Sequence, residues 1–456
     1  MFIQSIAVQG LHRAIDAKLN FHPDLGIIVG INGSGKTSII NLTSHLLRLN
    51  VPELLRISFE DIEIVGKDGR SKTISIKAIK LDGELQIIAK RSGRRVAFFA
   101  CPSPAQLDMA DRPEERAAWE RYLRRTTSEI AATKLASFIR ANVRLTLVKL
   151  DRTLFAEDYT GAVAIDPGLP QRTLRRMADE SEPIEQVERA TRNKFTEYQS
   201  QLKLLNVDLT NKLVLQLFQV TDVFNSRQSR ATALTDPKKI IKLEQSIKAS
   251  SFYPKHDADK AAIASYFRIT KQLAREFDKD LSKAELKSNV WQQRFFTSAR
   301  ERFIRLNMLA KEFNEFDKRA SDAFKELEAY LSAINSFLAE SQKVAFFSEQ
   351  DNTLRFKIIG ESNDDGRPIS ELSSGEKQIV TVLAYLAYEA GNNSIFLIDE
   401  PELSLHISWQ AGLLKALQSV QPLGCQLIMA THSPEIVGDK RDRVVKLIPR
   451  YRKSSR

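Results

Sequence analysis

Two segments of this 456-residue chain, more than three hundred residues apart, carry halves of one chemistry, so any fold open to the chain must bring them together. The first is Gly30-Ile31-Asn32-Gly33-Ser34-Gly35-Lys36-Thr37. It follows an apolar run, Leu25 to Val29, and precedes a helix-like run, Ser38 to Leu49, which is the strand-loop-helix setting a phosphate-binding loop requires. Glycines at 30, 33 and 35 open backbone conformations closed to other residues, so consecutive N–H groups can turn inward around a phosphate at a helix N-terminus. The predicted nucleotide-binding set here is Gly30, Asn32, Gly33, Ser34, Gly35, Lys36, Thr37 and Ser38. Lys36 supplies a point charge for the β and γ phosphates, and the Thr37 hydroxyl is a ligand for Mg2+.

The second segment supplies metal and water chemistry. Ser394 to Ile398 is an almost wholly apolar run suited to a parallel strand buried on both faces, and Asp399 and Glu400 sit where it ends. Carboxylates at such strand ends face the ligand crevice. Asp399 is expected to hold Mg2+, directly or through water, and Glu400 to orient and deprotonate the attacking water. Alone, this acidic pair also reads as a solvated helix cap; beside a phosphate loop, catalysis is the stronger reading. A phosphate loop neutralises only part of the charge on ATP, so a further set of donors must surround the transferred group. A helix beginning near Ser374 can provide one, because Ser373 and Ser374 are good capping residues and Gly375 allows close approach. The same residues also make an ordinary capped helix start.

Leu372-Ser373-Ser374-Gly375-Glu376 resembles the signature motif of ABC-type ATPases, and the order that follows is that of the family: Asp399-Glu400-Pro401, then Leu403-Ser404-Leu405-His406, then a strand, Gln426 to Ala430, ending at Thr431-His432-Ser433. The resemblance implies an α/β fold, a P-loop ABC-type ATPase head split by a helical insertion, with ATP and Mg2+ as ligands. It further implies a head-to-tail homodimer, or a higher homo-oligomer, with ATP between the phosphate loop of one subunit and the signature of the other. Ser373, Ser374, Gly375 and Glu376 would then contribute to the nucleotide site in trans, and His432 would polarise the γ-phosphate. By itself His432 reads as a hydrogen-bonded structural histidine. Arg13 stands just after the first strand, where relatives carry a basic residue that reaches the nucleotide; an exposed turn arginine is the equal alternative.

The split head resembles the SMC, Rad50 and RecF-like branch, and more narrowly bacterial ATPases of the overcoming-lysogenisation-defect type. The segment from Asp399 to His406 is similar to ATPase subunits of phage-defence systems such as PARIS and Septu. This implies a sensor or scaffold that restrains or activates a separate effector protein, a nuclease. A DNA-binding ATPase of repair or chromosome maintenance is the alternative, and a nucleotide-gated scaffold with negligible turnover is a third. Two departures stand out. The strand where a glutamine loop belongs ends Leu150-Asp151-Arg152, and about twenty residues follow His432, so the nuclease domain fused to some relatives is not expected here.

Composition is 43% hydrophobic, enough for a large core in two or three domains. No apolar run approaches the roughly 20 residues that span a bilayer, and the N-terminus lacks a basic stretch followed by a signal core, so a cytoplasmic protein without membrane association is expected. Cys101 and Cys425 have no metal-ligand spacing. Net charge is +11, and the last eighteen residues carry eight basic and two acidic side chains. That tail reads equally as a contact for phosphate backbones or an acidic protein and as a solvated terminus.

Three domains are expected: an N-terminal lobe over 1–152, a helical, coiled-coil-like insertion over 153–342, and a C-terminal lobe over 343–456. Alternating runs predict strands at Phe2 to Val8, Ala17 to Phe21, Ile57 to Ile64, Lys72 to Ile79, Leu85 to Ala89 and Val96 to Ala100, with one helix over Pro113 to Ala141 and a strand over Val143 to Leu150. The insertion carries helix-period runs over Ile184 to Val220, Asp257 to Phe277 and Ala284 to Ala339. Strands return at Val344 to Ser348 and Leu354 to Ile359, as a hairpin over Gln350-Asp351-Asn352.

Overall fold

The computed structural model describes residues 1–103, 113–149, 183–218, 237–254, 256–281, 290–361, 365–448 and 450–451. β1 (Phe2–Leu11) and β2 (Ile15–Asn20) pair antiparallel around a turn in which His12 and Arg13 both take left-handed conformations, φ 50° and 64°. β3 (Leu25–Val29) then runs through the glycine loop into α1 (Lys36–Arg48), which buries Ile39, Leu42, Leu46 and Leu47 on one face. α2 (Val51–Arg56) starts at Asn50, whose side chain accepts the Glu53 N–H, with Pro52 in its first turn. The strand predicted from Ile57 begins four residues later, residues 57–60 being neither helix nor strand. That strand is β4 (Asp61–Lys67), followed by β5 (Thr73–Leu81), β6 (Glu84–Arg91) and β7 (Arg94–Pro102) in an antiparallel meander. Asp82 and Gly83, at φ 51° and 75°, make the tight β5–β6 turn, the hairpin geometry that favours Asp-Gly. The single helix expected over 113–141 is two, α3 (Pro113–Ala131) and α4 (Lys134–Asn142). Thr133 is extended between them and its hydroxyl accepts the Ala136 N–H at 3.2 Å, capping the second. β8 (Leu145–Lys149) follows.

The insertion is helical: α5 (Pro183–Phe218), α6 (Pro237–Ala249), α7 (Asp257–Leu281) and α8 (Val290–Leu338). The chain divides into two compact units, Met1–Phe195 with Glu326–Arg456, and Thr196–Lys325. The division falls inside the range 153–342 because the outer ends of α5 and α8 are built into the head: Ile184, Val187, Tyr330, Ile334 and Phe337 are buried with the central strands. Within Thr196–Lys325, Ile240, Leu243 and Ile247 of α6 pack with Phe267 of α7 and Leu306 and Ala310 of α8.

The second half of the head begins with β9 (Lys343–Phe347) and β10 (Leu354–Ile358), the expected hairpin, extended by β11 (Arg367–Pro368). α9 (Ser374–Ala384) continues into one π-helical turn, Tyr385–Glu389. β12 (Ile395–Asp399), α10 (Ile407–Val420), β13 (Gln426–Thr431), α11 (Pro434–Val437), β14 (Val444–Lys446) and β15 (Arg450–Tyr451) complete it.

Five of these strands form an all-parallel sheet in the order β14-β3-β13-β12-β8, and seven form a second sheet in the order β15-β2-β1-β4-β5-β6-β7. The parallel sheet is the middle layer. Ile395 and Leu397 of β12 join the core under the seven-stranded sheet, whereas Phe396 and Ile398 join the core formed with α9 and α10. Burial on both faces is why these strands read as continuous apolar runs. Gln426 fastens the two sheets: its Oε1 accepts the Ile3 N–H at 2.6 Å, and its Nε2 donates to Ile3 O at 2.8 Å and His22 O at 2.7 Å. Among the described residues no helix is long and apolar enough to cross a membrane.

Candidate functional site

The strand order places the two distant segments side by side. β13 lies between β3 and β12, with Thr431 opposite Val29 and Ala430 opposite Asp399, so the chain leaves three adjacent strand ends as Gly30, His432 and Glu400. This is the crevice at which ligands of open parallel sheets bind.

At the first strand end, Gly33 and Gly35 have φ 76° and 94°, conformations that disfavour any side chain. A Cβ at Gly30 would lie 2.7 Å from the Ser34 hydroxyl. Ser34 Oγ is buried and, among the described residues, has no hydrogen-bond partner, while Ile31, Asn32 and Gly33 are exposed. Lys36 is almost fully buried, yet its Nζ donates to Gly30 O at 2.9 Å and Ile31 O at 3.3 Å and lies 3.4 Å from His432 Nδ1. Burial lowers its pKa, opposed by the charges of Glu400, Asp399 and Glu402. Thr37 Oγ1 donates to Asp399 Oδ1 at 3.3 Å, joining residues 362 positions apart. Ser38 Oγ is 2.9 Å from His12 Nε2. Arg13, next to His12, is exposed.

The carboxylate turn is strained in a defined way. Glu400 has φ 50° and its N–H donates to Ala430 O at 2.9 Å, which ties it to the middle strand. Asp399 is buried and Glu400 half-buried. A hydroxyl and a carboxylate in contact form a hard-oxygen pair suited to Mg2+, which takes one or two such ligands and completes its shell with phosphate oxygens and water. The glycine cradle, the unpartnered Ser34 hydroxyl and this oxygen pair fit Mg2+ with a nucleotide.

The Leu372–Glu376 segment starts α9. Ser373 is the N-cap, with its hydroxyl on the Glu376 N–H and the Glu376 carboxylate on the Ser373 N–H at 2.8 Å. Glu376 is 3% exposed and also accepts from Lys343 Nζ at 2.8 and 3.0 Å and from Ser341 Oγ at 2.7 Å. Burial pushes this carboxyl up, but the Lys343, Ser341 and Ser373 donors outweigh it and bring its pKa down to about 2. Glu376 was expected to touch nucleotide. Its carboxylate is instead committed to holding the loop, because a buried charge needs all the donors it has here. Ser373 and Ser374 remain exposed, and Gly375 lies against Ser404, where a Cβ would come within 3.2 Å of the carbonyl oxygen.

A family model described as an AAA ATPase domain matches residues 1–437. The chain belongs to this family. Its fold is the α/β head of a P-loop ATPase split by a helical insertion, and nucleotide binding is the activity the family implies. No curated protein matches the chain. Solved structures that overlap it include the Smc head domain with a coiled coil and joint derived from Pyrococcus yayanosii, at 14% identity over 99% of this chain and 97% of that one, TM-score 0.34. The Smc head domain with an extended coiled coil bound to the C-terminal domain of ScpA, derived from Pyrococcus furiosus, overlaps at 14% identity over 98% and 96%, TM-score 0.34. SmcHead bound to the C-winged helix domain of ScpA does so at 12% identity over 98% and 97%, TM-score 0.38. At these TM-scores the overlap bears no conclusion about fold or partners.

Within this AAA ATPase-domain head, sequence reasoning passed over Glu402, Lys343 and His12. Glu402 accepts from two residues of the His432 turn, and its only signal was a third carboxylate in Asp399–Glu402. Lys343 and His12 had no pattern to mark them. Leu150-Asp151-Arg152 lies outside the described residues, as do 452–456 of the basic tail. Of the tail that is described, Arg443 pairs with Asp24 and Asp442, both at 3.1 Å.

Proposed function

We propose that the chain binds and hydrolyses Mg2+-ATP in a composite site of a head-to-tail homodimer, and that the cycle restrains or activates a separate effector, a nuclease, in a bacterial phage-defence system. The observation that carries the ATPase reading is the meeting of Lys36 with His432 and of Thr37 with Asp399 at adjacent strand ends. In this reading the glycine loop and Lys36 bind the phosphates. Thr37 and Asp399 hold Mg2+, which neutralises charge on the phosphate oxygens. Glu400 orients water and accepts its proton, and His432 polarises the γ-phosphate. Ser373, Ser374 and Gly375 of a second copy add donors from a helix N-terminus. Arg13 extends toward the nucleotide from the β1–β2 turn, and the helical insertion passes the conformational change outward.

The similarity of the Asp399–His406 segment to phage-defence ATPase subunits supports the defence assignment. A second reading, direct binding of duplex DNA in repair, is favoured by the net charge of +11. One experiment separates them: a tagged pull-down from cells carrying the gene with its native neighbours, with and without Lys36→Ala. A stoichiometric nuclease held by the intact protein supports the defence reading. Recovery of DNA alone, lost at high salt, supports repair and contradicts it.

A further inference from the structure

We infer that Glu402 is a positioning residue that locks the carboxylate turn after β12 to the histidine turn after β13, and so sets His432 against Lys36. The inference rests on the reading that this site hydrolyses ATP. One carboxylate takes two donors from consecutive residues: Glu402 Oε1 accepts the His432 N–H at 2.5 Å, and Oε2 accepts the Thr431 hydroxyl at 2.8 Å. Thr431 Oγ1 in turn accepts the Ser433 N–H at 2.9 Å. Thr431 is fully buried, so its hydroxyl cannot trade this partner for water, and the chain from Ser433 N–H through Thr431 to Glu402 has one arrangement. Hydrogen bonds to a carboxylate are about twice as strong as neutral ones.

The consequence lies at the far side of the same residue. The His432 backbone is held by Glu402 while its imidazole sits 3.4 Å from Lys36 Nζ. The Glu400 N–H on Ala430 O ties the same two turns one step closer to the sheet. The general base and the histidine are therefore set by two links between one pair of turns, a backbone link at Glu400 and a side-chain link at Glu402. Glu402 does not cap a helix in this arrangement: Ser433 is the N-cap of α11 and His406 that of α10. Among the described residues, its side-chain donors are Thr431, the last residue of β13, and His432, which follows it. Misplacing a catalytic group by about 1 Å costs on the order of 100-fold in rate.

The test uses the full chain as wild type, Glu402→Ala, Glu402→Gln, Thr431→Val and the Glu402→Ala/Thr431→Val double variant. Single-turnover phosphate release and equilibrium binding of a fluorescent ATP analogue with Mg2+ are measured on each, with melting temperature as the control for folding. Glu402→Ala is expected to lower turnover about 100-fold with nucleotide affinity within about threefold, a loss confined to the chemical step. Glu402→Gln keeps an oxygen for the His432 N–H and faces Thr431 with its amide, and is expected to recover turnover to within about tenfold. Because both residues act as one unit, the double variant should be no slower than Glu402→Ala. Wild-type turnover in Glu402→Ala, parallel loss of affinity and turnover, or a multiplicative double variant overturns the inference. Should Glu402→Ala fail to fold, wild-type turnover in Thr431→Val, which removes the hydroxyl that donates to Glu402, overturns it equally. A wild-type chain with no Mg2+-dependent turnover contradicts the ATPase reading itself, and the inference falls with it.

Discussion

Glu400 stands on a left-handed backbone at φ 50°, directly after the buried Asp399 and bonded through its N–H to the strand between it and the phosphate loop. Strain of this kind persists only where surrounding structure enforces it, and it aims the side chain. Glu400→Gln keeps size and shape and removes the proposed base, so turnover should fall about 10²- to 10⁴-fold while nucleotide still binds; phosphate release and equilibrium binding check both. Glu376 makes a prediction in pH. Its folded pKa, about 2, lies below its ordinary value near 4.5, so its stabilisation is complete above about pH 4.5 and is lost as pH falls toward 2. Lys343→Met should remove on the order of 2 kcal/mol at neutral pH and flatten that acid limb, read from urea midpoints at pH 7 and pH 3. Asp68, held at about 2 chiefly by Arg91, titrates in the same window, so the comparison is between wild type and variant. At this scale the phosphate loop and the Asp399–Glu400 pair were legible because each is a local pattern. Glu402 and Lys343 were not, since their partners, Thr431 and Glu376, lie 29 and 33 residues away and only the fold supplies them.

At the scale of elements, the strand order turns two motifs into one site. β13 must fit between β3 and β12, and Gln426 at its start is the bolt that registers it against β1. Gln426→Ala leaves a buried N–H and two carbonyls without partners and should cost about 3 kcal/mol or more in a urea titration. Gln426→Glu should not rescue it, because a carboxylate cannot donate to Ile3 O and His22 O. Strands with a period of two, such as β4 to β7, were readable from alternation alone. β14 and β15, at 3 and 2 residues, carry no periodicity, and they are recruited by the free edges of the two sheets. The break between α3 and α4 was hidden because Thr133 is a tolerable helix residue until its hydroxyl finds the Ala136 N–H.

At the scale of the molecule, the head holds the phosphate loop, the carboxylate turn and the histidine turn together and presents Ser373 and Ser374 to solvent. The proposed site is completed by a second copy, so slowing the chemistry should stabilise the pair. Glu400→Gln with Mg2+-ATP is expected to shift to a dimer by light scattering, whereas Lys36→Ala with the same ligand should not. The measurement that bears on this most directly mixes two inactive variants, Lys36→Ala, which lacks a working phosphate loop, and Ser373→Arg, which blocks the signature. In a head-to-tail dimer one of the two sites then pairs the intact loop of the Ser373→Arg chain with the intact signature of the Lys36→Ala chain. Recovery of Mg2+-dependent ATP hydrolysis on mixing is the predicted result; full activity of Ser373→Arg alone, or no recovery on mixing two folded variants, would contradict a composite site.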